Sequence, residues 1–204
     1  MVRRPSAWSA VRVDVIPEEP VQYGEIHRCE LCGRPTGLRP WLPPYVAVLE
    51  TWGRRWADMV CDSAAEHLIT RRMAEQLSAD GITGLEPGEP VTVTGVRSHG
   101  RKLGPPPEYL VARVGRATAA VDDVASGIRR KPGPICPACR QGGLMTSDVP
   151  RIVLEPTDAV LPDIFIARGL PGRAIVSDRF VEWMARHGFE GVETFRGDEG
   201  AKSR

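Results

Sequence analysis

The sequence predicts an α+β fold of two similar α/β lobes bridged by a zinc-ribbon-like site of four cysteines, and three observations predict it. Two CxxC pairs, Cys29/Cys32 and Cys136/Cys139, stand 107 positions apart. Short β-favouring runs alternate with two stretches whose apolar residues recur at helical spacing. The order cysteine pair, strand, helix, then Gly-apolar-x-Gly-apolar-Glu occurs twice, with Gly81-Ile82-Thr83-Gly84-Leu85-Glu86 matching Gly188-Phe189-Glu190-Gly191-Val192-Glu193 at the same spacing. An internal duplication is one reading of that register. Chance is the other, because glycine after a helix is common.

The elements follow in order. Residues 1–22 read as an N-terminal extension, and a proline- and glycine-rich segment continues to Pro44 around Cys29-Glu30-Leu31-Cys32-Gly33-Arg34. Tyr45-Val46-Ala47-Val48-Leu49 is a β-favouring run, and Trp56 to Cys61 is a second. Asp62 or Ser63 can cap a helix that the apolar spacing of Leu68, Ile69, Met73 and Leu77 extends from about Ser63 to Ala79. Asp80-Gly81 ends it, since glycine takes the left-handed conformation without a steric cost.

Two further strands are expected over Pro90–Val96 and Tyr109–Val114, with a loop of glycine, basic residues and Pro105 to Pro107 between them. The first half thus runs over 23–135, and the second, over 136–196, opens with Cys136-Pro137-Ala138-Cys139. Asp163–Ala167 and Ala174–Val176 read as strands around a Gly169-Leu170-Pro171-Gly172 turn. Ser177 is an N-cap with Asp178 in the first turn, where the helix dipole favours negative charge. Phe180, Val181 and Met184 form the apolar stripe of that helix, Trp183 lies at its edge, and Gly188 stops it. Gly191–Phe195 is a last strand, and 197–204 a disordered tail.

Composition bounds the function. Basic and acidic residues number 27 and 26, so the formal charge is +1, without the excess that phosphate or membrane binding calls for. No apolar run is long enough to span a bilayer, and Met1-Val2-Arg3-Arg4 leads into proline and charge where a secretory signal would place its apolar region. A cytoplasmic protein with reduced thiols is expected. An odd count of five cysteines suits metal better than a disulfide scaffold.

A CxxC pair puts two thiolates on one side of a tight turn, and two pairs complete a tetrahedron around Zn2+. Cys29, Cys32, Cys136 and Cys139 are therefore the candidate ligands of one structural metal, with Gly33, Pro134 and Pro137 shaping the turns. The long intervening chain exceeds the spacing of a small zinc ribbon, so thiol redox chemistry, separate sites and free thiols stay open. Cys61 reads as a small hydrophobe, His27 as a solvated loop residue with replacement of a cysteine ligand as the other reading, and His67, His99 and His187 as bystanders. No serine-nucleophile elbow, phosphate loop or His-Glu-x-x-His occurs, so no enzyme is expected. A basic segment holding Arg97, Arg101, Lys102, Arg113, Arg116, Arg129, Arg130 and Lys131 allows an alternative: a zinc-ribbon nucleic-acid-binding or regulatory protein using residues 97–131. Without interleaved aromatics a solvated face is the plainer reading. Trp52 and Trp56 are expected in the core, with a partner anchor as the other reading.

The chain resembles the double-CXXCG motif proteins, a bacterial family expanded in myxobacteria that includes immunity proteins against swarm-inhibition toxins. The resemblance runs from about Tyr23 to Phe195. It is carried by Cys29-Glu30-Leu31-Cys32-Gly33 and Cys136-Pro137-Ala138-Cys139, then by Pro162-Asp163-Ile164-Phe165, Val176–Glu182 and Gly188–Val192. Arg140 stands where the motif has its second glycine. The resemblance implies a cytoplasmic protein that binds and neutralises a cognate protein toxin without catalysis, with zinc as scaffold.

Overall fold

The computed structural model describes residues 2–3, 11–61, 67–143 and 151–194. It is a mixed α+β protein, built mostly of sheet with two helices. Short strands β1 (Val2–Arg3), β2 (Val13–Pro17), β3 (Gln22–Tyr23) and β4 (Trp41–Leu42) open the chain. They are followed by β5 (Val46–Thr51), β6 (Met59–Cys61), β7 (His67–Thr70) and helix α1 (Arg71–Ala79). Strands β8 (Leu85–Pro90), β9 (Thr92–Ser98), β10 (Tyr109–Val114) and β11 (Arg116–Ala120) lead to the second cysteine pair. Strands β12 (Ile164–Arg168) and β13 (Ala174–Val176), helix α2 (Asp178–His187) and β14 (Glu193–Thr194) complete it.

The larger sheets have the orders β6-β7-β10-β8, β2-β5-β9 and β11-β12-β13. One core joins both helices to strands of two sheets, with Met73, Leu77, Phe180, Trp183 and Met184 packed among Met59, Ile69, Leu110 and Ile164. A second core lies between β2, β5, β7 and β10, around Val13, Leu49, Leu68 and Tyr109. The segment before residue 23 therefore supplies strands to the sheets, one of which buries Val13 and Val15.

The first helix is shorter than its periodicity suggests. His67–Thr70, expected inside it, is a strand buried at all four residues between β6 and β10. A strand covered on both faces buries neighbours such as Leu68 and Ile69 together, and this mimics the apolar side of a helix. The cap is Thr70, whose side chain accepts from the Met73 amide; Asp62 and Ser63 lie outside the described residues. His67 is thus a strand residue, whereas His187 is helical as expected. The Pro90–Val96 run divides into the end of β8 and most of β9. Trp183, expected at a helix edge, is 1% exposed and sits in the core. Phe195 and the tail lie outside the described residues.

The second helix matches its sequence signals. Ser177 caps it by accepting from the Phe180 amide, Asp178 occupies the first turn, and Gly188 closes it at φ +63°.

The same local bonds occur twice. Hairpin β6–β7 pairs Met59 with Ile69, and hairpin β12–β13 pairs Ile164 with Val176. The Thr70 amide and hydroxyl donate to the Asp58 carbonyl and carboxylate at 2.8 and 3.2 Å; Ser177 does the same to Asp163 at 2.8 and 3.0 Å. Arg72 reaches Asp58 at 2.8 Å as Arg179 reaches Asp163 at 2.9 Å. The two units also cross over. The Glu190 amide donates to Asp58, and the Thr83 amide donates to Asp163.

Candidate metal centre

Each cysteine pair sits in a tight loop with one bonding pattern. The Cys29 amide donates to the Arg34 carbonyl at 2.9 Å, and the Gly33 amide to the Cys29 carbonyl at 2.8 Å. In the second loop the Cys136 amide donates to Gln141 at 3.0 Å, and the Arg140 amide to Cys136 at 2.8 Å. Gly33 and Arg140 hold the same place, with φ of +68° and +60°. The turn is therefore kept at Arg140 despite its Cβ, in a conformation that disfavours L side chains by about 1–2 kcal/mol. Arg140 pairs with Glu155, and Arg34 braces one loop against the other by donating to the Gln141 carbonyl at 2.7 Å.

The four sulfurs converge, all lying within 4.8 Å of one another. Cys29 Sγ and Cys136 Sγ are 3.8 Å apart, and Cys32 Sγ and Cys139 Sγ 3.7 Å. All four thiols are free. A disulfide would bring sulfurs to about 2.05 Å. Four metal–sulfur bonds of about 2.3 Å at tetrahedral angles set them about 3.8 Å apart, which is the spacing of the two pairs that cross between the loops. The donor set and its edges thus fit one ion of zinc's size and preference. Cys29, Cys136 and Cys139 are buried and Cys32 is exposed.

Backbone amides prepare the sulfurs for charge. The Cys139 amide, seconded by that of Ala138, points at Cys136 Sγ and holds its thiol down at about 6, from an ordinary 9.0. The Cys32 amide lowers Cys29 in the same way. Burial pushes Cys139 up to about 12, and a cation among the sulfurs would favour its thiolate. Such a dication would be held by four ligands, leaving no position for water or substrate.

Other sequence candidates lie elsewhere. Cys61 is half-buried against the helical core, and His67 is buried in its strand. His27 hydrogen-bonds Thr36 through Nδ1 at 2.8 Å. His99 stacks on Trp52 at 4.5 Å, with Arg12 4.4 Å from the Trp52 ring. Trp56 donates to the Gly104 carbonyl. The basic segment disperses over β9, β10, β11 and two loops: Arg97 pairs with Glu50, and Arg130 clamps Asp123 at 2.6 and 2.7 Å with only 7% of its side chain exposed. The bracing role of Arg34 and the paired Asp58 and Asp163 escaped the sequence reading. Their signal was present as Asp-apolar before each first hairpin strand, and as Thr70-x-Arg72 and Ser177-x-Arg179 after the second.

Among the described residues no helix is long and apolar enough to cross a membrane. Comparison of the chain with protein-family models and with curated proteins gave no match.

Proposed function

We propose that the chain is a zinc-binding immunity protein that neutralises a cognate bacterial toxin in the cytoplasm by binding it, without catalysis. The observation that carries this reading is the closed set of four thiols joining loops 107 residues apart. Such a centre serves as a rivet, since it leaves no ligand position for a reagent. Zinc suits the centre because a redox-silent dication matches a shell of four thiolates whose work is structural, and such an ion supplies on the order of 10 kcal/mol of folding free energy. Toxin neutralisation comes from the resemblance to the double-CXXCG proteins, and the dispersal of the basic segment favours a protein partner over nucleic acid.

We also read the chain as an internal duplication with the metal between its halves. Support comes from the hairpin, cap, arginine–aspartate and cysteine-loop bonds, each of which recurs in the second half.

The test is capture. The zinc-loaded chain is expected to retain the product of the neighbouring toxin gene on an affinity column, and co-expression to rescue cells from it. A chain that captures no such product and protects no cells ends this reading.

A further inference from the structure

A cavity of about 370 Å³ opens beside the cysteine cluster, between the first cysteine loop, the second loop and strands β11 and β12. Its floor is apolar, made by Ala117, Ile166 and Ala167 with Pro171, and Leu31, 64% exposed, stands at its rim. Three arginines line it, Arg28, Arg116 and Arg168. Among the described residues each donates to a neutral oxygen only: Arg28 to the Gly33 carbonyl, Arg116 to Thr36 Oγ1 and Arg168 to the Ala138 carbonyl. The one carboxylate in the lining is Glu30. Arg55, Arg71, Arg72, Arg97, Arg130 and Arg179 each meet a carboxylate, while Arg34 and Arg39, like these three, donate to carbonyls; the cavity differs in gathering three such guanidinium groups in its lining.

A guanidinium carries five donors in a planar fork, so each of the three has N–H groups left for an oxyanion. The metal centre does not consume them all. Four thiolates and a dication sum to two negative charges, and the amides of Leu31, Cys32, Ala138, Cys139 and Gln141 already point at the sulfurs. Partial desolvation also lowers the Arg116 guanidinium, which favours an anionic partner there.

We infer that this cavity is where the protein partner docks, receiving a short extended segment that carries a carboxylate between apolar side chains. This deepens the binding function proposed above and rests on it. The apolar floor selects against bare phosphate, which stays hydrated, and the volume admits a few residues of peptide. Carboxylate and guanidinium match as bidentate forks, and such pairs are stronger than neutral hydrogen bonds.

The test uses the full, zinc-loaded chain and amide NMR. A capped five-residue peptide alternating leucine and aspartate is expected to shift the amides of Leu31, Ala117 and Ala167. Replacing its aspartates by asparagine, or making Arg116→Gln or Arg168→Gln in the protein, is expected to weaken binding about tenfold. The inference is overturned if the acidic peptide leaves those amides unmoved, or if the asparagine peptide binds as well. It is overturned too if inorganic phosphate or a thymidine decanucleotide binds there more tightly than the peptide. The two readings fail separately. Toxin capture unchanged in the Arg116→Gln/Arg168→Gln variant removes the cavity and keeps neutralisation. Peptide binding without toxin capture removes neutralisation and keeps the cavity.

Discussion

The unit running from Asp58 to Gly84 and the one from Asp163 to Gly191 keep the same backbone bonds with different side chains. Met73 is answered by Phe180, Gln76 by Trp183 and Leu77 by Met184 at the same helical positions. Volume is therefore redistributed across the shared core, while the caps and the aspartate clamps stay fixed. Difference concentrates where the helices meet. The Asp80 carboxylate accepts from Gln76, from Trp183 and from His187 at 2.8 to 2.9 Å. Gln76 and Trp183 are counterparts, and so are Asp80 and His187. The lesson is that hydrogen-bonded turns define the unit, and packing adapts around them.

Breaking the proposed metal centre should have the largest effect. Cys136→Ser is expected to abolish stoichiometric zinc and, with it, cooperative thermal unfolding, as removal of metal by a chelator should. Metal analysis and a melting curve check this; a folded, metal-free protein would show that the two units hold together unaided. Under thiol redox chemistry the fold would survive the same change.

The aspartate clamps come next. Asp163 accepts from Thr83, Ser177 and Arg179 and is almost fully buried, whereas Asp58 accepts from Thr70, Arg72 and Glu190 with 14% of its side chain exposed. Asp163→Asn should cost about 3 kcal/mol and Asp58→Asn somewhat less, since each strands donors that the carboxylate had satisfied. Equal urea midpoints for the two variants would mean that burial does not separate them.

Gly84 and Gly191 sharpen the crossover. At φ +91° and +117°, a Cβ on Gly84 would run into the Ile164 carbonyl, and one on Gly191 into the carbonyl of Met59. Either change to alanine should destabilise by about 2–3 kcal/mol, through overpacking and a disfavoured dihedral together. A change harmful at one position alone would show that the two contacts are not equivalent.

The cysteine loops differ by a smaller amount. Gly33→Ala should cost about 1 kcal/mol, because φ +68° strains any side chain although space is open around it. Arg140→Gly should fall within about 1 kcal/mol of wild type, with relief of the same strain offset by loss of the Glu155 pair. Zinc affinity should not change in either, as competition with a chelating dye would show.

The smallest effect is one of pH. The Gln76 amide, followed by the Trp183 indole, holds the Asp80 carboxyl below its ordinary 3.8. A folded value below the unfolded one means a contribution present above that range and lost as pH falls through it. Asp80→Asn should therefore flatten the acid limb of the stability curve. An unchanged limb would show that the cluster where the helices meet is indifferent to that charge.

Much of this was legible in the sequence. Ser177, Asp178 and Gly188 announced the second helix because caps act locally, through side chains adjacent to the amides they satisfy. The four clustered cysteines were legible because thiolate chemistry constrains the spacing of each pair. His67–Thr70 was misread because a strand buried on both faces has no period of its own. Arg116 was named within the basic segment, but its convergence with Arg28 and Arg168 was invisible, because the three come from separate places in the chain and only folding gathers them around one cavity.

The strand pairings also bear on how this chain can be divided. Strand β10, from the middle of the sequence, lies between β7 and β8, while β1, from its beginning, pairs with β14 and runs beside β13. Each helical unit thus borrows a strand from outside its own stretch of sequence. A cut near the three prolines before Tyr109 would not release two self-sufficient pieces; each fragment would leave with a strand belonging to the other, and the two would be expected to rejoin when mixed.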